Sequence, residues 1–256
     1  GLMKSMGDKV SDYMAGMKGS AYDGVRVRQL LTMTSGVAWN EDYGDPKSDV
    51  ARFNNHVPEP GVDALVSYMR KLPRAAPAGE RWNYSTGETN LVGILITRAV
   101  GKPLTEYMQE KIWSRIGSEQ QATWLLSKTG QEISGCCIQA SPRDYARCGL
   151  FILEGAKVNG QALLPDNYLQ SATHKQADIG QPGLGYGYQW WTYDDGSFAA
   201  RGIFGQGIFI DPARELVIVT NSDWAKAGSA NNPQYAARED FYQAVRQAID
   251  AEAGGR

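Results

Sequence analysis

Between residues 184 and 222 the sequence is cut into short aromatic or β-branched runs: "GYGYQWWTY", "SFAARGIF", "GIFID" and "ELVIVTNS". The breaks fall at Asp194-Asp195-Gly196, at Gly205 and at Asp211-Pro212. Runs this short, bounded by residues that supply or tolerate turn backbone, are too brief for helices and read as successive strands of an antiparallel meander. The sequence therefore predicts a sheet whose strands are neighbours in the chain, closed by a helix near 234–251.

Upstream the apolar spacing is helical. "VRVRQLLTMT" (25–34) reads as a short helix stopped by Ser35-Gly36, and further helices are predicted at 62–72, 86–100 and 104–116. In "TNLVGILITRAVG" almost every residue before Arg98 is apolar, which predicts a helix buried on most sides. Ser141-Pro142-Arg143-Asp144 places an N-cap serine, a first-position proline and a first-turn acid in order, so another helix starts there. Residues 40–60 are rich in Asn, Asp and Pro without apolar period and predict a long surface loop of the kind that often serves as a lid. Helices first, then sequential strands and a closing helix, give an α+β arrangement. We expect one domain, with a helical and loop region over about 20–175 and strands plus closing helix over about 184–252.

Composition narrows the function classes. Of 256 residues, 42% are hydrophobic and 21% charged, which is ordinary globular usage. A formal net charge of −2 gives no electrostatic reason to expect nucleic acid or an anionic membrane as partner. No apolar run approaches the ~20 residues of a membrane span. Cys136, Cys137 and Cys148 match no zinc spacing, and adjacent cysteines seldom bridge, so the three read as small buried hydrophobes. "GLMKSMGDKVSDYM" lacks an initiator methionine and reads as the end of a helix and a polar turn, so the chain is expected to begin inside a longer protein.

The chemistry-bearing motifs are few. There is no G-x-S-x-G elbow, no G-x-x-x-x-G-K-[ST] loop and no G-x-G-x-x-G. His56 and His174 are the two histidines and neither stands in a metal-ligand pair, so both are assigned to packing or surface and a Ser-His-Asp triad is disfavoured. Tyr84, before Ser85 at the mouth of the helix predicted from 86, can simply pack or can carry a proton for a serine hydrolase that uses lysine and tyrosine instead of histidine.

Three segments in order, "VRVRQLLTMTSGV" (25–37), "PAGERWNYST" (77–86) and "GIFGQGIFIDPARELVIVTNS" (202–222), resemble the serine β-lactamase, penicillin-binding-protein and family VIII esterase superfamily. "NEDYGDP" at 40–46 is similar to its 6-aminohexanoate-dimer hydrolase branch, a group of amidases. The resemblance implies a β-lactamase/transpeptidase-like α+β fold, an antiparallel sheet flanked by helices plus a helical region. It also implies a serine hydrolase of a small-molecule amide or ester, working through an acyl-enzyme without metal or cofactor. In that family a serine in S-x-x-K attacks the carbonyl while the lysine and a tyrosine move its proton. Tyr84 matches the family's Tyr of Y-x-N. A free phenol titrates near about 10, so it acts as a base only beside a cation that lowers that value. The same resemblance places Tyr84 on a strained turn with its hydroxyl toward a cleft.

The resemblance also assigns substrate-side residues. Thr86 stands where the motif carries Asn, and Ala200-Arg201-Gly202 stands where β-lactamases carry K-T-G. The usual cationic anchor for a β-lactam carboxylate is then absent from its position, although Arg201 is a cation nearby, and a simple amide or ester is favoured. Gly202 is expected to let a ligand approach the strand, and the Ile203 N–H to donate to the oxyanion. Tyr43 matches a loop tyrosine that hydrogen-bonds the substrate or holds the lid; an exposed loop aromatic is the equal alternative. Gln206 and Trp190-Trp191 are weaker candidates, with strand packing favoured for the tryptophans.

No serine is followed three places on by lysine. Ser5, Ser67, Ser171 and Ser222 have lysines four places on, which is the wrong spacing. The family's S-x-x-K is therefore expected about one helix before Gly1, and this chain alone is expected to be inactive. Two rival functions stand beside the amidase or esterase: a non-catalytic domain that kept the cleft, and a β-lactamase or D-amino-acid carboxypeptidase. Substrate identity would be set by loops such as 40–60 and 174–185.

Overall fold

The structure, a computed structural model, describes residues 2–228 and 232–254. Its helices in chain order are α1 (Val10–Tyr13), α2 (Val27–Leu31), α3 (Asp49–Arg52), α4 (Ala64–Met69), α5 (Thr86–Val100), α6 (Leu104–Met108), α7 (Pro142–Leu153), α8 (Tyr168–Thr173) and α9 (Pro233–Gly254). Its strands are β1 (Thr123–Trp124), β2 (Ile138–Gln139), β3 (Lys157–Val158), β4 (Gln161–Ala162), β5 (Ala177–Asp178), β6 (Leu184–Tyr186), β7 (Trp191–Tyr193), β8 (Phe198–Arg201), β9 (Gly207–Asp211) and β10 (Leu216–Thr220). The chain packs as two compact units. One comprises Gly1–Arg115, Ala122–Gln139 and Gln176–Gly180; the other comprises Ile116–Gln121, Ala140–Lys175 and Gln181–Arg256. Among the described residues no helix is long and apolar enough to cross a membrane.

The first unit is built around α5. Ser85 caps it by accepting from the Glu88 N–H at 3.2 Å, and Gly101 ends it at φ 69°, in the left-handed region that glycine enters without a Cβ penalty. Leu91, Ile94 and Leu95 bury one stripe of this helix. Helix α2 ends at Leu31, sooner than predicted, and Ser35-Gly36 serves a different purpose. Gly36 lies at φ 73°, and a Cβ there would stand 2.1 Å from the Ala76 carbonyl oxygen. That close approach lets Ala38 donate to Pro73 O at 2.8 Å and Ala75 to Gly36 O at 2.8 Å. The predicted loop 40–60 is partly ordered by its own side chains: Ser48 caps α3, and Asn40, Asp42 and Asp45 each accept from a backbone N–H two residues on.

Cys136 and Cys137 correct the sequence reading. They are joined to each other, with Cys136 exposed and Cys137 part-buried at φ 83°. The Trp124 indole donates to Cys136 O at 3.2 Å and Leu125 N to Cys137 O at 3.2 Å, so the β1–β2 hairpin holds this segment by its backbone. Cys148 on α7 is free, and burial followed by the Asp144 carboxylate pushes its thiol up to about 11.

In the second unit the predicted meander is present. Strands β6 to β10 pair antiparallel in sequence order, with Phe198 opposite Ile210 and Phe209 opposite Ile218. Helices cover both faces, which explains why β10, "LVIVT", does not alternate with polar residues. Gly149 of α7 is packed so closely on the sheet that a Cβ would meet Val217 at 2.5 Å and Ile208 at 3.1 Å. The segment 140–175 therefore belongs with the strands, not with the helical region to which the sequence assigned it. On the other face Tyr242 of α9 stacks on Phe209 with centroids 4.7 Å apart. Arg246 reaches the buried Asp211 at 2.8 Å and Asp195 at 2.7 Å.

One buried carboxyl in the first unit makes a measurable demand. Glu88 lies in the first turn of α5 and accepts through Oε1 from the Ser35 hydroxyl and, at 3.2 Å, from the Tyr22 hydroxyl. Its Oε2 is buried without a partner among the described residues. Burial pushes this carboxyl up to about 8, against the opposing pull of the two hydroxyls. Between about pH 4.5 and 8 the unfolded chain has released this proton while the folded chain keeps it, so stability falls as pH rises through that window. Glu88→Gln removes the ionisation and keeps an acceptor for both hydroxyls. We expect the variant to match the parent at pH 5 and to exceed it by about 2–4 kcal/mol at pH 8 in urea unfolding. Parallel pH profiles for the two chains would refute the assignment.

Candidate active site

In the first unit the segment before α5 runs extended into its N-cap, with Ser85 at φ −146° and ψ 106°. Tyr84 is not among the residues with left-handed backbone, so the strain expected there is absent. The helix starts cleanly because Ser85 supplies the cap; no distortion is needed to place the tyrosine. Tyr84 is part-buried, and its ring lies 6.3 Å from Trp82 at a tilted angle. Asn83 donates to Trp39 O at 3.1 Å and lines a shallow pocket of about 160 Å³ with Trp39, Val37 and Arg81.

The helix mouth is organised by a residue that sequence reasoning passed over. Glu41 accepts from the Thr86 N–H at 3.0 Å, the Thr86 hydroxyl, the Trp39 indole N–H, and the Tyr43 hydroxyl at 2.9 Å. A carboxylate at this end of a helix satisfies an orphan N–H and meets the positive end of the macrodipole. Through Glu41 the structure brings together two of the predicted residues, the Tyr43 and Thr86 hydroxyls being 3.2 Å apart. Tyr43 remains 45% exposed. Thr86 was expected to face substrate; instead its hydroxyl and N–H both serve Glu41. Glu41 lies inside "NEDYGDP", and the one signal pointing to it was its place beside Tyr43 in that stretch.

The electrostatics follow from this pairing. Burial, and after it the Glu41 carboxylate, push the Tyr84 phenol up to about 12. The same two causes push Tyr43 up further. At neutral pH both phenols keep their protons, so Tyr84 becomes a base only when a cation is brought beside it. Among the described residues no group of three His, Cys, Asp or Glu side chains is placed to hold a metal ion.

The second unit carries the other predicted residues on the β8–β9 turn. Arg201 departs from expectation. Its guanidinium lies over the rings of Trp191, Tyr193 and Tyr235 at 5.1–5.3 Å and donates to the hydroxyls of Tyr193 and Tyr235. Glu239 stands 3.7 Å away and the side chain is 8% exposed. A guanidinium gains cation–π and hydrogen-bond energy in such a cage, which makes Arg201 a packing residue and not a substrate anchor. Gly202 also differs. The space where its side chain would begin is filled by Gln206, with Oε1 at 2.5 Å and Cβ at 2.7 Å, so the close approach it permits is internal to the turn. Ile203 is part-buried, and its N–H has no acceptor among the described residues. Trp191 packs edge-on to Tyr186 and Trp190 to Phe198, in line with strand packing. His56 is held by Ser67 at 3.1 Å and by the edge of Tyr68, while His174 is exposed.

Comparison with known proteins follows the same line. The protein-family profile described as Beta-lactamase matches residues 5–240. The 6-aminohexanoate-dimer hydrolase of Paenarthrobacter ureafaciens is 26% identical over 231 residues, covering 84% of this chain and 59% of that protein. The lovastatin esterase of Penicillium rubens is 24% identical over 131 residues, covering 51% of this chain and 32% of that protein. This chain thus spans about three-fifths of the first relative and one-third of the second. A solved structure from Bacillus anthracis, described provisionally as a 6-aminohexanoate-dimer hydrolase, superposes with a TM-score of 0.80 over 98% of this chain and 68% of its own, at 24% identity. A class C β-lactamase from Rhodobacter sphaeroides superposes with a TM-score of 0.66 over 97% of this chain and 79% of its own, at 16% identity. The β-lactamase-like fold is common to all of these structures.

The Glu41 junction can be tested without turnover. In Glu41→Gln an amide NH2 faces N–H and O–H donors that a carboxylate had accepted. We expect a loss of about 1–3 kcal/mol in urea unfolding and faster proteolytic cleavage within 40–60. A variant as stable and as resistant as the parent would show that Glu41 does not hold this loop to α5.

Proposed function

Because this chain belongs to the beta-lactamase family, matched over residues 5–240, we propose that it serves a serine hydrolase of small-molecule amides or esters that works through an acyl-enzyme. The observation that carries this reading is Tyr84 at the mouth of α5, with Tyr43 and Thr86 gathered beside it by Glu41. The names of two relatives, a 6-aminohexanoate-dimer hydrolase and a lovastatin esterase, support hydrolysis as the reaction class.

In the proposed cycle the serine hydroxyl adds to the substrate carbonyl and gives its proton to the lysine–tyrosine pair. The tetrahedral oxyanion accepts from the Ile203 N–H, and Tyr84 passes the proton to the departing amine or alcohol. Water then releases the acid by the same steps in reverse. The high affinity of the Tyr84 phenol for its proton suits the acid half of this cycle, and the neighbouring lysine ammonium is what makes the base half possible. These 256 residues hold no S-x-x-K, so the reading draws the serine and lysine from sequence outside them, and the chain alone does not turn over. With Arg201 caged by Tyr193 and Tyr235, the K-T-G position offers no free cation for a β-lactam carboxylate, which favours a simple amide or ester over a β-lactam.

The test uses the full-length protein. A fluorophosphonate should label one serine upstream of Gly1, with p-nitrophenyl esters hydrolysed and nitrocefin left intact. Tyr84→Phe should lower kcat by about 10²–10⁴-fold. A Tyr84→Phe enzyme within threefold of the parent, or the absence of any labelled serine, would overturn the proposal; rapid nitrocefin turnover would redirect it to a β-lactamase.

A further inference from the structure

The β8–β9 turn, Gly202 to Gln206, is bonded almost completely. Gly202 N donates to Gln206 O at 2.8 Å and Gly205 N to Gly202 O at 3.3 Å. Gly228 N donates to Ile203 O at 2.5 Å, Trp224 N to Phe204 O at 3.1 Å, and the Thr220 hydroxyl to Gly205 O at 3.0 Å. Gly205 lies at φ 89°, and a Cβ there would meet the Trp224 indole at 2.3 Å, so the ring locks the turn from one side. Gln206 locks it from the other. Its Oε1 accepts from Phe204 N at 3.1 Å, its Nε2 donates to Ser222 O at 3.0 Å, and its side chain covers Gly202.

Within this frame the Ile203 N–H has no acceptor among the described residues. A peptide unit is planar, so its two edges turn together and a hydrogen bond at one edge restrains the other. The 202–203 peptide, which carries the Ile203 N–H, is held at its other edge by Gly205. The 203–204 peptide is held at both edges, by Gly228 at the carbonyl and by the Gln206 carboxamide at the Phe204 N–H. Withdrawing the carboxamide leaves the 203–204 peptide held at its carbonyl alone and opens the space over Gly202, so the backbone on both sides of the Ile203 Cα is held less firmly.

We infer that Gln206 is a positioning residue whose carboxamide, bridging Phe204 N–H and Ser222 O, aims the Ile203 N–H at the oxyanion of the reacting substrate. This rests on the hydrolase reading above and assigns to Gln206 a role in the reaction that strand packing alone would not give it. An oxyanion donor works only when its N–H points at the place where charge develops, so a loosened turn lowers kcat and leaves ground-state binding nearly unchanged.

The experiment compares the full-length enzyme with Gln206→Met, which keeps the volume and removes both hydrogen bonds, on matched p-nitrophenyl esters and their thiono analogues. Sulfur is a weak acceptor, so an aimed donor favours the oxygen ester, and a disordered one loses that preference. We expect Gln206→Met to lower kcat by about 10–100-fold at a KM within twofold, and to bring the oxygen-to-sulfur rate ratio toward unity. Gln206→Ala serves if the methionine variant does not fold, with the same result expected. Gln206→Glu keeps an oxygen for Phe204 N–H and should hold the ratio within about threefold of the parent while losing stability. An active parent whose methionine and alanine variants keep both kcat and the ratio overturns this inference alone. Equal loss of the ratio in Gln206→Glu overturns it too, by showing that the residue serves only the fold. An inactive parent without a labelled serine overturns the hydrolase reading and this inference together.

Discussion

The N-terminus of α5 has to be satisfied, and the first unit is arranged around that requirement. A helix leaves its first N–H groups without internal partners, and here two acceptors meet them, Ser85 on the Glu88 N–H and Glu41 on the Thr86 N–H, while the Glu88 side chain folds back into the interior. Because Glu41 comes from the preceding loop, capping the helix also fixes Trp39 and Tyr43 against it. Because Glu88 turns inward, Ser35 and Tyr22 are drawn to the same helix. Tyr84 owes its raised proton affinity first to burial and then to the Glu41 carboxylate these pairings hold nearby, and its own backbone is not left-handed.

The second unit solves a different problem with similar economy. Its meander is buried on both faces, so charges needed to seat α9 on the strands must be paired inside. Arg246 and Asp211 do this at one end of the sheet, and Arg201 among Tyr193, Tyr235 and Glu239 does it at the other. The side chain that occupies the K-T-G position is thereby committed to holding the helix. The β8–β9 turn itself exposes Phe204, at 38%.

Much of this was legible in the residue order. The turn signals at Asp194-Asp195-Gly196, Gly205 and Asp211-Pro212 placed the strand breaks, and Ser141-Pro142 placed the start of α7, because those preferences act within a few residues. Tyr43, Tyr84 and Ile203 were singled out by their motif context and stand as proposals. Glu41 was not, since an acid in an Asn- and Asp-rich loop looks like any solvated charge until the helix it caps is known. Arg201 and Gly202 were assigned outward roles because a strand residue's face cannot be read when both faces of the sheet are covered. The two neighbouring cysteines were read as buried, whereas a hairpin holding their backbone leaves Cys136 exposed and Cys137 part-buried.

The sequence by itself determined the strand breaks of the 184–222 meander, the order in which those strands pair, the starts of α5 and α7, and the family to which the chain belongs, because those depend on local backbone preference and on motifs short enough to be read in line. Tertiary structure alone decided that segment 140–175 packs with the sheet, that Glu88 is held by residues 53 and 66 positions away, and that Gln206 lies over Gly202. Hydrogen bonds and close contacts between distant residues depend on which faces meet in space, and hydropathy spacing does not encode the partner of a buried polar atom.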